Sequence, residues 1–228
     1  MNLSTELYIK EFKSRSRHHS KLVNFILPEL LECNNNNLLE FGVSNQAMST
    51  ELFLYFSNLN NNILYSVDNV DYSHKFQTPK WVFLNQRDDA YAEIEKKIPK
   101  KFSLILLDTI HEADHVEKLL YYYYPKLEFG KSFFIDDISW LPYVKGSDKE
   151  RFYAEINNQE TFQMLLSVYY NNRNNFNIEF SFEGTGMCKI TKTRDNILNP
   201  PTHKITSKEK SFKNYLRKIS KFFYRYIR

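Results

Sequence analysis

Two short apolar runs that each end in carboxylates constrain the fold of this chain more than any other feature. The first run covers residues 104–107 and stops at Asp108, and the second covers residues 132–135 and stops at Asp136 and Asp137. Continuous apolar runs of this length are typical of strands buried on both faces of a parallel sheet. Ligands of such sheets bind beyond the carboxyl ends of the strands, so three carboxylates are predicted to meet at the ligand-binding edge.

The remaining sequence alternates between strand-like and helix-like segments. After one or two helices within residues 3–33, further strands are expected at 38–42, 63–67 and 81–84, helices at 49–57, 88–97, 113–124 and 149–170, and a closing strand pair at 176–182 and 187–191. The turn between the closing strands contains glycine and is typical of a hairpin. This order predicts an α/β fold with a Rossmann-like, seven-stranded, mostly parallel sheet and a C-terminal antiparallel hairpin strand.

The chain divides into three predicted regions. Residues 1–35 form a helical lead-in, residues 36–195 form the α/β domain, and residues 196–228 form a linker and a basic amphipathic helix. Cys33 and Cys188 match neither a disulfide framework nor a metal-ligand spacing, which indicates a reducing compartment. The sequence shows no signal-peptide pattern and no apolar run near the ~18 residues that span a bilayer, so a cytoplasmic location is expected.

The first predicted strand-to-helix turn has features of a nucleotide-binding turn. Glu40 and Gly42 stand where the chain must turn sharply and allow a ligand close to the backbone. Asp68 ends the next predicted strand, where an acid commonly accepts hydrogen bonds from the ribose hydroxyls of adenosine cofactors. Both signals have simpler interpretations, because a lone glycine often marks an ordinary turn and a strand-end aspartate often caps a helix.

Five segments in order resemble the class I S-adenosylmethionine-dependent methyltransferases, nearest to the branch of macrocin and related sugar O-methyltransferases. The segments are LLEFGVSNQAMST, YSVDN, LNQRDDA, LLDTIHEADHVEKLL and KLEFGKSFFIDD, and the closing FSFEGTGMCKITK also suits that family's last hairpin. The resemblance covers roughly residues 36–192 and implies S-adenosylmethionine as cofactor. It assigns cofactor binding to Glu40, Gly42, Ser44, Asp68, Asp88, Asp89 and Asp108, with Asp68 on the ribose and Asp88 or Asp89 beside the adenine.

The sequence departs from the family's pattern in its glycines. Gln46 and Ala47 replace the second and third glycines of the cofactor loop, and Thr109 replaces the usual glycine after the acid of strand four. The two loop replacements leave less room for the cofactor's carboxylate. A non-catalytic, membrane-associated module that keeps the fold without the cofactor is therefore an alternative.

The strand-end carboxylates also predict chemistry. Methyl transfer to an alkyl hydroxyl at neutral pH needs a base or a metal, because such hydroxyls hold their proton tightly. Asp108, Asp136 and Asp137 offer hard oxygen ligands that suit Mg²⁺, and acids at matching positions hold a divalent ion in metal-using relatives. His111 is predicted to deprotonate the acceptor or to act as a further ligand, so His111 and Asp108 are the candidate catalytic residues. Asp136 and Asp137 could instead cap the loop after the strand, and His115 is interpreted as surface or structural.

The resemblance thus implies an O-methyltransferase whose acceptor is a sugar hydroxyl of a glycan, a glycolipid or a glycosylated metabolite, with metal assistance as an option. A second enzyme class is a nicotinamide-dependent sugar oxidoreductase or epimerase, since Gly42 and Asp68 would also serve that cofactor. Against it stand the missing G-x-G-x-x-G pattern and the lack of an evident Tyr-x-x-x-Lys pair. A homo-oligomer is left open.

The C-terminal tail carries the basic character of the chain. Residues 208–228 hold eight Lys or Arg and one Glu, a net charge of +7, whereas the whole chain carries +4, so the remainder carries −3. Apolar residues recur on one helical face and basic residues fill much of the rest, after a predicted hinge at Asn199-Pro200-Pro201. This pattern predicts peripheral binding to an anionic surface at the inner face of the membrane. Docking on its own domain or on a second subunit is the alternative, and nucleic acid fits poorly because the domain is slightly acidic.

Overall fold

Seven strands form one sheet in the computed structural model, which describes residues 3–139, 152–200, 202, 205 and 211–226. The strands are β1 (Asn37–Phe41), β2 (Ile63–Asp68), β3 (Trp81–Asn85), β4 (Phe102–Leu107), β5 (Leu127–Asp136), β6 (Phe176–Ser181) and β7 (Met187–Lys192). They lie in the order β3-β2-β1-β4-β5-β7-β6. The first five are parallel and β7 runs antiparallel to both of its neighbours, which confirms the predicted fold class.

Helices flank the sheet on both faces. They are α1 (Leu3–Ser14), α2 (Arg17–Phe25), α3 (Leu27–Leu31), α4 (Met48–Asn60), α5 (Tyr91–Glu95), α6 (Ala113–Tyr123), α7 (Phe152–Asn172) and α8 (Phe212–Tyr226), with a 3₁₀ turn at Tyr124–Lys126. The lead-in has three helices instead of the one or two expected. Ser16 caps α2 by accepting a hydrogen bond from the His19 N–H, and Pro28 stands in the first turn of α3.

Several boundaries differ from the sequence expectation. α5 begins at Tyr91 rather than at residue 88, because the Ala90 N–H closes a turn onto the Arg87 carbonyl (3.0 Å). β5 begins at Leu127 rather than at residue 132, since Leu127 already pairs with Phe102 ahead of a register shift. The helix expected at 149–170 is observed as α7, and residues 149–151 lie outside the described residues.

The sheet buries one core on each face. Successive residues of β4 alternate between the two, with Leu104 and Leu106 in one core and Ile105 and Leu107 in the other. All of β4 is buried, as its continuous apolar run predicts. The lead-in helices fill the first core together with α4, while α6 and α7 fill the second. The lead-in is therefore packed on the sheet, and α2 lies close to the carboxyl ends of the strands.

The C-terminal linker is held against α7 before α8 begins. The Asn199 N–H donates to Asn172 Oδ1 (2.7 Å), and the Ile205 N–H donates to Ser167 Oγ (2.8 Å). The linker is thus tied at Asn199, where the sequence predicts a hinge, and α8 lies within the segment expected to be helical. Among the described helices, none combines the length and the apolarity that crossing a bilayer requires.

Candidate active site

The turn from β1 to α4 depends on Gly42. Its φ is +92°, and a Cβ atom there would lie 1.8 Å from the backbone carbonyl oxygen of Asp108 at the end of β4. Ser44 and Ala47 also have positive φ, at 60° and 49°, although neither is glycine. Left-handed conformations cost non-glycine residues about 1 kcal/mol or more each. The loop therefore keeps its shape without the family's further glycines, at some cost in backbone strain.

Glu40 supports this turn from beneath. Its side chain is fully buried, and its carboxylate accepts hydrogen bonds from the hydroxyls of Ser49 (2.6 Å), Thr50 (2.8 Å) and Ser66 (2.6 Å). Burial raises the pKa of Glu40 to about 7, against the lowering effect of these three hydroxyl donors. The residue ties β1 to the first turn of α4 and to β2. Its geometry fits a positioning role rather than the direct cofactor contact expected from the sequence.

Asp68 joins two loops at the end of β2. Its Oδ2 accepts hydrogen bonds from the backbone N–H groups of Val43 (2.8 Å) and Ser44 (3.2 Å), and its Oδ1 accepts one from Val70 (2.9 Å). The segment after β2 is not helical, so the interpretation of Asp68 as a helix cap is wrong. A carboxylate offers about four lone-pair sites, so Asp68 can still accept bonds from ligand hydroxyls.

A cleft opens beside these two residues at the carboxyl edge of the sheet. It is lined by Gly42, Ser44, Val67, Asp68, Asn69, Arg87, Asp88, Asp108, Thr109 and Ile110. Among the described residues, the Thr109 hydroxyl is one of the few buried polar groups without a hydrogen-bond partner. An unpartnered buried hydroxyl on a residue that lines a cleft is a candidate to bond a ligand. Gly42, Ser44, Asp68, Asp88 and Asp108 are thus brought together as predicted; we name this side of the cleft the loop end.

Asp88 and Asp89 differ in position. Asp88 lines the cleft, is 8% exposed, and its Oδ2 lies 2.8 Å from His115 Nε2. Asp89 is exposed and forms a two-bond pair with Arg87 (2.9 and 2.8 Å) outside the set that lines the cleft. Of the two acids offered for the position beside the adenine, Asp88 lines the cleft and Asp89 does not. His115 acts as a structural partner of Asp88, in agreement with its interpretation from the sequence.

A group of acids with one histidine adjoins the cleft at Asp108, and we name it the acid end; it comprises Asp108, Asp136, Asp137 and His111. His111 Nε2 lies 3.4 Å from Asp137 Oδ2 and 3.6 Å from Asp108 Oδ1. Burial and the neighbouring carboxylates of Asp136 and Asp137 raise the pKa of Asp108 well above its usual range, and burial with Asp136 also raises the pKa of Asp137. Asp137 has a φ of 56° and donates its backbone N–H to the Gly186 carbonyl (3.1 Å). The β6–β7 turn therefore holds one of the acids in place.

Lys21 completes the acid end, and sequence reasoning missed it. It lies on α2, its side chain is 1% exposed, and its ammonium forms an ion pair with Asp136. The same ammonium donates to the Thr185 hydroxyl (3.0 Å) and to the Gly186 carbonyl (3.4 Å). Burial lowers the pKa of Lys21, but the charges of Asp136 and Asp137 outweigh it and raise that pKa above its ordinary value. Within the α2 sequence, a lone lysine among polar residues carries no visible signal of this contact.

The predicted magnesium site does not fit this geometry. In the described chain, ligand atoms of three acidic or histidine residues approach within 4.8 Å of one another at Asp88, Asp89 and His115, but not at Asp108, Asp136 and Asp137. Asp136 Oδ1 is engaged by Lys21 and by the Asp137 backbone N–H (2.8 Å). Mg²⁺ demands close octahedral oxygen ligation at about 2.0–2.1 Å. The three carboxylates are near one another without converging on one ion.

No protein-family model matches this sequence, and no curated protein matches it. Solved structures do match, and they show that the fold is that of the class I S-adenosylmethionine-dependent methyltransferases.

Three of these structures illustrate the likeness. The MycE methyltransferase of the mycinamycin biosynthetic pathway, in complex with Mg and SAH (S-adenosylhomocysteine), matches with a TM-score of 0.60 and 17% identity over 86% of this chain and 57% of that one. SAH-bound PaMTH1 of Podospora anserina matches with a TM-score of 0.60 and 10% identity over 85% and 89% of the two chains. A putative caffeoyl-CoA O-methyltransferase of Staphylococcus aureus gives a TM-score of 0.56 and 13% identity over 84% and 100%. This chain spans little more than half of MycE.

Proposed function

We propose that this protein transfers a methyl group from S-adenosylmethionine to a hydroxyl group of a small-molecule acceptor. The observation that carries the proposal is the cleft at the carboxyl edge of a methyltransferase-type sheet. There the Gly42 turn, the Asp68 carboxylate and the unpartnered Thr109 hydroxyl stand directly beside Asp108 and the histidine-acid group.

The loop end would hold the cofactor. Asp68 and Asp88 are placed to accept hydrogen bonds from ribose hydroxyls and from the adenine side, and the missing side chain of Gly42 lets a ligand approach the backbone. Thr109 can donate its free hydroxyl to the same ligand. When bound, S-adenosylmethionine would supply an electrophilic methyl group on a sulfonium sulfur. A second, smaller pocket beside Lys21 and Asp136 shares Ser44 and Asp108 with the cleft, so cofactor and acceptor would occupy neighbouring positions.

His111 is the candidate general base. It is about a third exposed and lies against Asp137 and Asp108, which can orient the ring and stabilise its protonated form. In the proposed step His111 accepts the proton of the acceptor hydroxyl as the oxygen–methyl bond forms and the sulfur–methyl bond breaks. The products are a methyl ether, S-adenosylhomocysteine and a protonated histidine that returns its proton to water.

The proposed class of acceptor rests on the resemblance of this chain to sugar O-methyltransferases. The sequence resemblance to sugar O-methyltransferases favours a sugar hydroxyl of a glycan, a glycolipid or a glycosylated metabolite, and MycE has been solved with mycinamycin VI, SAH and Mg. A magnesium requirement follows from the same resemblance, but the described carboxylates do not support it. A nicotinamide cofactor is disfavoured because β7 is inserted antiparallel between β5 and β6, whereas the usual strand order of dinucleotide-binding sheets is 3-2-1-4-5-6.

The test is release of S-adenosylhomocysteine from S-adenosylmethionine in the presence of a panel of sugar, nucleotide-sugar and catechol acceptors. With an active acceptor, His111→Ala should lower kcat by about 100-fold or more, the usual contribution of a general base. His74→Ala is the matched control because His74 is exposed and lies outside the cleft. If the cofactor binds but no acceptor in the panel is methylated, the non-catalytic alternative is favoured. Full activity of the His111→Ala variant would show that His111 is not the general base.

We further propose that α8 binds an anionic membrane surface. Its apolar side chains Phe212, Tyr215, Leu216, Ile219 and Phe223 are 38–76% exposed, and they recur at helical spacing. Lys213, Arg217 and Lys221 are also exposed. A helix with an apolar face and a basic face, both reaching solvent, suits the interface of a lipid bilayer. Each basic residue contributes about 1 kcal/mol near an anionic surface.

Vesicle flotation tests the membrane proposal. Replacing Lys213, Arg217 and Lys221 with Glu should abolish binding to phosphatidylserine vesicles. The control replaces Lys10, Lys97 and Lys100 with Glu, which changes the net charge equally on exposed parts of the domain. Removal of residues 206–228 should act like the tail variant, because the linker up to Ile205 stays tied to α7. Loss of binding in the domain variant alone would contradict the assignment.

A further inference from the structure

We infer that the ammonium group of Lys21 occupies the cation position of the acid end, so that this site is built to work without a divalent metal ion. Three observations carry the inference: the burial of Lys21, the ion pair with Asp136, and the distribution of the three carboxylates around it. The inference concerns the charge balance of the site and does not depend on the proposed methyl transfer.

The acid end needs a cation for electrostatic reasons. Asp108, Asp136 and Asp137 lie close together: His111 Nε2 lies 3.4 Å from Asp137 Oδ2 and 3.6 Å from Asp108 Oδ1, and the Asp137 backbone N–H donates to Asp136 Oδ1 (2.8 Å). Like charges that are shielded from water destabilise each other unless a positive group lies among them. In the described part of the site Lys21 is that group, because its buried ammonium forms an ion pair with Asp136.

All three N–H donors of the Lys21 ammonium have acceptors, and the helix that carries Lys21 is packed against the sheet. An ammonium group has three N–H donors, and those of Lys21 face the Asp136 carboxylate, the Thr185 hydroxyl and the Gly186 carbonyl. Its neighbours on α2, Leu22 and Val23, are buried in the core between the lead-in helices and the sheet. Lys21 therefore cannot leave the site unless α2 separates from the sheet.

A divalent ion would compete with this arrangement directly. Asp136 Oδ1 accepts from the Lys21 ammonium and from the Asp137 N–H, so its two lone pairs are engaged. A metal ion at Asp136 would also stand next to a buried positive charge. The three carboxylates do not converge while Asp136 is paired with Lys21. With Lys21 removed, they lose their compensating charge and can turn toward one hard cation such as Mg²⁺ or Mn²⁺.

Titration with Mn²⁺, followed by electron paramagnetic resonance of the free ion, tests the inference without any acceptor. Lys21→Met should bind Mn²⁺ at least ten times more tightly than the wild-type protein, and adding Asp136→Asn to Lys21→Met should abolish that gain. Lys21→Arg, which keeps the charge, should bind Mn²⁺ like the wild type. Asp89→Asn identifies any binding at the separate group of Asp88, Asp89 and His115.

Two results would overturn the inference. One is Mn²⁺ binding by the wild-type protein that Asp136→Asn abolishes and Asp89→Asn leaves intact. The other is a folded Lys21→Met protein, verified by near-ultraviolet circular dichroism, that gains no affinity for Mn²⁺. If Lys21→Met does not fold, the inference is tested by comparing the wild type with Asp136→Asn. The two proteins are then expected to have the same affinity for Mn²⁺.

Discussion

The two ends of the cleft compensate buried acids in different ways. At the loop end the Glu40 carboxylate is surrounded by three hydroxyls, and no positive side chain is among its hydrogen-bond partners. At the acid end Asp136 is paired with the buried ammonium of Lys21. Hydroxyls stabilise a carboxylate without changing the charge of the site, whereas an ammonium cancels it. Glu40 is therefore compensated by hydroxyls from neighbouring elements, whereas Asp136 is compensated by a charge that comes from a distant part of the chain.

The largest effect is expected from Gly42→Ala, which breaks the loop end by geometry. The added Cβ would lie 1.8 Å from the Asp108 carbonyl, so β1 and β4 must move apart at the cleft. We expect loss of measurable S-adenosylhomocysteine binding in calorimetry and a loss of several kcal/mol, on the order of 3–5, in the free energy of unfolding. Gly130→Ala is the control, because Gly130 also has a positive φ, 73°, but no atom lies within 4 Å of its added Cβ. Equal effects of the two variants would show that backbone strain, not the close approach, governs the turn.

Glu40→Gln sharpens the contrast in charge compensation. The pKa of Glu40 is raised in the folded protein to about 7 from 4.5, so the folded state binds this proton more tightly than the unfolded state. The tighter proton binding of folded Glu40 contributes stability that is fully present below pH 4.5 and is lost as the pH rises through about 7. Relative to Glu40→Gln, the wild-type free energy of unfolding should fall by about 3 kcal/mol across this window.

Urea unfolding at intervals between pH 4.5 and pH 8 measures that difference. Parallel stability curves for the two proteins would mean that Glu40 has the same proton affinity in the folded and unfolded states. That result would remove the distinction between the two ends.

Asp68→Ala tests the ligand contact at the loop end. Removing this carboxylate leaves ligand hydroxyls and the Val43 and Ser44 N–H groups without an acceptor. S-adenosylhomocysteine binding should weaken by about 1–3 kcal/mol in calorimetry. Asp89→Ala should weaken binding less, because Asp89 itself does not line the cleft and acts there only through its pair with Arg87. The reverse order of effects would exchange the roles assigned to these two acids.

Thr109→Val should have the smallest effect. Valine has nearly the shape of threonine, and the Thr109 hydroxyl has no partner among the described residues, so the free energy of unfolding should stay the same or rise slightly. Cofactor affinity should fall by about 1 kcal/mol, the value of one hydrogen bond. Unchanged affinity in calorimetry would show that the hydroxyl does not face the bound ligand.

The loop end could be predicted from sequence because its parts are local. Gly42, Asp68 and Asp108 each end or follow a strand whose apolar run is visible, and parallel strands bring their carboxyl ends to one edge of the sheet. The mostly parallel sheet and the closing hairpin follow from the same alternation of segments. The exact start of β5 could not be predicted, since residues 127–131 include polar residues and a glycine that do not read as a buried strand.

The acid end could be predicted only in part because its completion is not local. The three carboxylates are visible at strand ends, but the ion pair joins Lys21 to Asp136 across a sequence separation of 115 residues. Thr185 and Gly186 enter from the β6–β7 turn. The pattern of apolar residues predicts that α2 packs on the sheet, but it does not predict which polar side chain of the helix faces inward. The metal expectation arose from this gap, because three acids without a visible partner suggest an ion.

The most direct test of the central claim is calorimetric titration of the wild-type protein with S-adenosylhomocysteine, once in EDTA and once with Mg²⁺, with NAD as a parallel ligand. Micromolar binding of S-adenosylhomocysteine with equal affinity in both buffers, and no binding of NAD, is the predicted result. Absence of S-adenosylhomocysteine binding in both buffers, or binding of NAD in its place, would contradict the assignment of the cleft.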